Sequence, residues 1–174
     1  MKRIATIFLA FMAILICQTV YADGPLPADT PAVSLLQKSE VIKGAKLVKL
    51  EGLMLRMAKP YMKKEPISAV MDDIERMYML NMKDVSDGDM AKFNAELSKA
   101  LQPYIKAGEV YREDTNSNLA LYLDKPEGGV FHEMFLVVTR PETVIMVFHG
   151  KFTEEGLLNM SDLSQKRSKR KSKN

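Results

Sequence analysis

Phe131-His132-Glu133-Met134-Phe135-Leu136-Val137-Val138-Thr139, followed by Arg140-Pro141-Glu142 and then Thr143-Val144-Ile145-Met146-Val147-Phe148-His149-Gly150, decides the fold. Two runs rich in β-branched and aromatic residues flank a proline-centred turn, the pattern of two long strands. Alternation puts Phe135 and Val137 on one side of the first run. Met134, Leu136 and Val138 fall on the other. Both sides are apolar, so these strands belong at the centre of a sheet that is covered on both faces. One face needs helices. The other needs the N-terminal segment, a second protomer or a ligand.

Working backwards, Pro126-Glu127-Gly128-Gly129 is a turn, Leu119 to Leu123 a strand, Glu113 to Asn118 a turn-rich connection and Ile105 to Tyr111 another strand. Together they predict an antiparallel meander. Before it, Ser86 stands at an N-cap position with Asp89 three residues on. Met90, Phe93, Leu97 and Leu101 make the apolar stripe of the helix that follows, which Pro103 ends. Arg76 to Met82 reads as a covered strand, and Ile67 to Ile74 as a short helix after Pro66. Glu51 to Ala58 reads as a helix with Leu50, Leu53, Met54, Met57 and Ala58 at helical spacing, stopped by Pro60. Ala45, Leu47 and Val48 suggest a first strand after Gly44, and Ala32 to Ser39 a short helix. Thr153 caps a closing helix through Leu158. The predicted class is α+β: an antiparallel or mixed sheet ending in a strand meander, with helices packed mainly on one face.

The start of the chain carries an address. Lys2 and Arg3 precede an uncharged run from Ile4 to Ile16, and Val20-Tyr21-Ala22 supplies the small residues of a cleavage site. Residues 1–22 therefore read as a signal peptide, the apolar run being short of the ~20 residues that span a bilayer. The expected destination is the periplasm or the exterior. Cys17 lies inside this leader, and bulky Ile16 before it departs from a lipoprotein signal. Cleavage near Ala22 then leaves no cysteine, hence no disulfide and no thiol nucleophile. Residues 23–31, with three prolines, form a flexible leader, and 32–163 a single domain. Residues 164–174 carry six basic groups and no acid (Lys166, Arg167, Lys169, Arg170, Lys171, Lys173), the composition of a disordered tail. Subtracting the two leader charges and the six tail charges from the net +3 leaves residues 23–163 at −5. That balance speaks against nucleic acid as a partner. The tail suits a weak contact with an anionic membrane surface.

Chemistry is sparsely signalled. His132 and His149 on the two long strands are the candidate metal ligands. Neither Glu133, on the opposite side of its strand from His132, nor Glu154, in the closing helix, completes a set, so no metal or other cofactor is expected. The thioethers of Met54, Met57, Met77, Met79 and Met82 suit Cu(I), but the same residues lie on predicted core stripes. Asp84, Ser86, Asp87 and Asp89 miss calcium-loop spacing, because Gly88 comes one position early and Ala95 stands where a bidentate Glu belongs. Asp72, Asp73, Glu75, Glu154 and Glu155 are scattered acids, and no catalytic residue is identifiable.

Three stretches resemble a family of exported Bacteroidetes proteins known as the domain of unknown function DUF4252. They are Ala45-Lys46-Leu47-Val48-Lys49-Leu50 with Leu53-Met54-Leu55-Arg56-Met57, Ile74-Glu75-Arg76-Met77-Tyr78-Met79-Leu80, and Phe148-His149-Gly150-Lys151-Phe152-Thr153-Glu154-Glu155. The resemblance runs from about Lys46 to Ser161. It implies an exported α+β domain without an assigned activity, in an envelope stress or signalling context. The reading that follows is a non-enzymatic periplasmic binding or interaction domain, joined to a protein partner or to itself through an apolar sheet face. The alternatives are an envelope hydrolase using acidic residues with His132 or His149, and a copper-handling protein.

Overall fold

The computed structural model describes residues 30–62, 69–112, 116–139 and 142–159. The expected signal peptide, Cys17, most of the leader and the basic tail lie outside these residues. Six antiparallel strands form one sheet: β1 (Lys46–Glu51), β2 (Ile74–Asn81), β3 (Ile105–Arg112), β4 (Ser117–Leu123), β5 (Val130–Thr139) and β6 (Val144–Thr153). Their spatial order is β1-β2-β6-β5-β4-β3. The two long strands are central, as their two apolar faces require, and β3 to β6 form the meander. The α+β class is as expected.

On one face lie α1 (Pro31–Lys38) and α3 (Asp87–Ala100). Helix α1 starts where Thr30 accepts from the Val33 amide and Pro31 occupies the first turn, where no amide hydrogen is needed. Helix α3 starts at Ser86, whose Oγ accepts from the Asp89 amide and donates to the Asp89 carboxylate. The Asp84–Asp89 stretch is thus a helix cap beside a Lys46–Asp84 ion pair. These helices bury Ala32, Leu36, Phe93 and Leu97 against Tyr78, Leu80, Phe135 and Ile145 of the sheet.

Against the other face lie α2 (Gly52–Met62) and a closing helix, α4 (154–159). Thr153 caps α4 by accepting from the Gly156 amide. The second core joins Leu55 of α2, Val70, Met71 and Phe152 to Met77, Met79, Met134 and Phe148, and Leu157 of α4 packs on it.

Three local readings differ from the structure. Pro60 does not stop α2, which runs on to Met62. So close to the helix end, the missing amide hydrogen forfeits a single bond. Of the helix expected over Ile67 to Ile74, Ile67 and Ser68 lie outside the described residues, Ala69 is 3₁₀-helical, and residues 70–73 form a bend and turn rather than more helix. The Asp73 and Ile74 amides there donate to Val70 and Met71, three residues back. Ile74 itself begins β2, opposite Gly150. Thr30 and Pro31, read as leader, open α1.

Two glycines are obligatory. A Cβ on Gly44, at φ +95°, would lie 2.1 Å from the Asp84 carbonyl oxygen. One on Gly150 would lie 2.0 Å from that of Asp73. Gly150 is where the 70–73 turn presses onto β6, and the Lys151 amide donates to the same Asp73 oxygen.

Candidate functional site

The two histidines are not paired with each other. Across the β5–β6 register His149 stands opposite Glu133, and the register slips between Phe131 and Glu133. The slip leaves exposed His132 beside it, with its amide donating to the Asp124 carboxylate. Phe131 packs on the second core while Glu133 turns toward the first. Among the described residues no three His, Cys, Asp or Glu side chains gather as a metal site. Asp72, Asp73, Glu75, Glu154 and Glu155 are exposed.

What the fold assembles instead is a buried polar cluster around Glu133, which is 3% exposed. Tyr104 OH donates to Glu133 Oε2 at 2.6 Å, and Thr30 Oγ1 donates to Oε1 at 2.8 Å. The Thr30 hydroxyl therefore caps α1 and ties it to β5 at once. Burial pushes the Glu133 carboxyl above the usual range, outweighing the two donors that favour its charge. Burial, then the Glu133 carboxylate, also raises the Tyr104 phenol. His149 Nε2 lies 3.5 Å from Glu133 Oε1 without hydrogen-bond geometry, and the imidazole meets Tyr78 edge-on. Burial and the Arg76 guanidinium lower its pKa from 6.5 to about 4. Proximity to Glu133 would favour an imidazolium, yet desolvation drives both groups toward neutrality. The contact is close packing without a hydrogen bond.

The methionines divide by environment. Met77, Met79 and Met82 are core residues, as expected. Met54 and Met57 are not. Helix α2 turns Leu55 inward and leaves Leu53 64% and Met57 61% exposed, with Met54 on the flank. Helical spacing groups residues on one side but does not say which side meets the sheet. Here Leu55 and Ala58 won the inward position. The apolar side chains of this helix were legible beforehand; which of them turn outward was not.

Leu158 of α4 is likewise exposed, and Leu121, Leu136, Val138 and Met146 remain only half-buried on the same sheet face. The opposite side of the molecule has a cleft of about 210 Å³ between Ile42 and Phe93, rimmed by Lys38, Asp89 and Glu96. It contains neither histidine nor Glu133.

No curated protein and no solved structure matches this chain. The family model described as domain of unknown function (DUF4252) matches residues 43–160, from the lead-in to β1 through the end of α4, and the chain belongs to that family.

Proposed function

We propose that this chain is a non-enzymatic interaction domain of the cell envelope, exported by cleavage near Ala22, that docks through the face carrying α2 and α4. The observation that carries this reading is the outward apolar side of α2, Leu53 and Met57. Burying such a side chain against a partner returns about 1.5–3 kcal/mol. Methionine adapts its shape to a partner surface more readily than branched side chains do. Half-buried Leu121, Leu136, Val138 and Met146 extend the apolar character across the same face. The buried cluster supports the same reading, because both Glu133 oxygens are engaged in holding α1 and the Tyr104 segment to the sheet. A stress-sensing or signalling role in the envelope is the setting for such a module.

The test is in-cell cross-linking from a photoreactive residue at position 57, compared with one at position 92 on α3, followed by mass spectrometry. Reproducible cross-links from 57 that vanish in the Leu53→Asp variant are expected. Equal, non-specific labelling from both positions would remove the basis for this face as a docking surface.

A further inference from the structure

We infer that β3 is a self-association edge: two copies of this chain join their sheets by antiparallel pairing of residues 105–110 with themselves, about a two-fold axis at Gly108. This surface is separate from the face carrying α2 and α4, and the inference stands without the reading above. Strand β3 ends the strand order, so among the described residues only β4 pairs with it. The outer row of backbone amides and carbonyls on such an edge is a template for another strand. Every residue from 105 to 111 is exposed, Ile105 by 47% and Val110 by 54%. The other edge, β1, is already occupied. It buries Val48 and Leu50, and its Lys46, Lys49 and Glu51 pair with Asp84, Glu40 and Arg76.

The order of residues along β3 selects a second copy as the partner. Its pairing with β4 slips between Lys106 and Gly108. This bulge takes Ala107 out of the alternation. Lys106 and Glu109 then oppose Tyr122 and Ala120, two apart on β4, and so share one face, where they form an ion pair. Ile105 and Val110 oppose Leu123 and Leu119 and share the other face. A two-fold axis through Gly108, perpendicular to the sheet, keeps every residue on its own face. It sets Lys106 opposite Glu109 of the second copy and Ile105 opposite Val110 of the second copy, each twice. Opposite charges and matched apolar side chains are the favourable cross-strand pairs. In a strand without the bulge, Lys106 and Glu109 would lie on opposite faces and this register would not exist. A lysine and a bulge ordinarily keep an edge from pairing. Here the lysine meets a reciprocal glutamate, and the bulge is what aligns the faces. A Cβ on Gly108 would meet nothing within 4 Å, so the axis is open to a second backbone. The two ion pairs within the strands are exchanged for two across the axis, and the charges therefore set register more than strength.

The form beginning at Asp23, which retains every described residue and has no cysteine, is followed by analytical ultracentrifugation at rising concentration. A monomer–dimer equilibrium is expected. Lys106→Glu and Glu109→Lys each place two like-charged pairs across the axis and should each weaken association by about tenfold or more. An equal mixture of these two variants should associate as the parent does, because every lysine then meets a glutamate. Leu53→Asp should leave the equilibrium unchanged. Gly108→Cys should give a disulfide-linked dimer under mild oxidation. Val110→Cys should not, since the two copies of that position stand roughly 13 Å apart along the strands. Circular dichroism checks that each variant is folded. Three results would each overturn the inference: a monomer even at millimolar concentration, association indifferent to Glu109→Lys, or no recovery in the mixture. None of the three touches the docking surface on α2, which the cross-linking from position 57 tests by itself.

Discussion

Glu133 shows how a single residue can be read correctly in direction and missed in role. Alternation along β5 separates it from His132, and so it does. What alternation cannot supply is Tyr104, twenty-nine positions away, or Thr30, more than a hundred away, whose hydroxyls meet its two oxygens. Its one visible signal was a carboxylate directly before the apolar run Met134 to Val138 of a central strand. Tyr104→Phe removes a donor from a buried acceptor and should destabilise the fold by about 1–3 kcal/mol, read from urea unfolding. His149 makes the pH argument. Its folded pKa is about 4 against 6.5 for the free group, so it supplies stability above 6.5 that is lost as pH falls through about 4. Glu133 has the opposite sign: its raised pKa means stability lost as pH rises through the folded value. Unfolding followed across this acid window should show His149→Gln flattening the loss by on the order of 2 kcal/mol and leaving the Glu133 slope. An unchanged profile would mean that His149 does not titrate with folding.

At the scale of elements, caps and strands were legible because their causes are local. Ser86 and Thr153 lie beside the amides they cap, and β5 and β6 carry their own β-branched composition. The 70–73 turn was misread because its cause is not local. Ile74 leaves any helix to pair with β6, and Val70 and Met71 are buried by the second core. Gly150 is the point of contact. A Cβ there meets backbone rather than a movable side chain, so Gly150→Ala should cost about 3 kcal/mol, at the upper end for overpacking. A thermal midpoint equal to that of the parent protein would show that the turn can shift away.

For the whole molecule, the division between core and docking face makes a paired prediction. Phe135 is fully buried between α1, α3 and the sheet, and Phe135→Ala should cost about 3–5 kcal/mol. Met57→Asp, on the outward side of α2, should change stability by no more than about 0.5 kcal/mol. Chemical denaturation of both variants checks the contrast. A large loss for Met57→Asp would place that side chain inside and withdraw the docking surface.

The sequence by itself determined the α+β class, the central position of the two long strands and the capped helices, because composition, alternation and caps act over a few residues. The expected export address and the basic tail are sequence features of the same kind. Only the tertiary structure decided that His149 faces Glu133 rather than His132, and that Thr30 and Tyr104 close over that carboxylate. It also decided that α2 turns Leu55 to the sheet and Leu53 and Met57 to solvent. Those outcomes depend on register slips and on which side of a helix wins the core, and both are settled by packing between segments far apart in the chain.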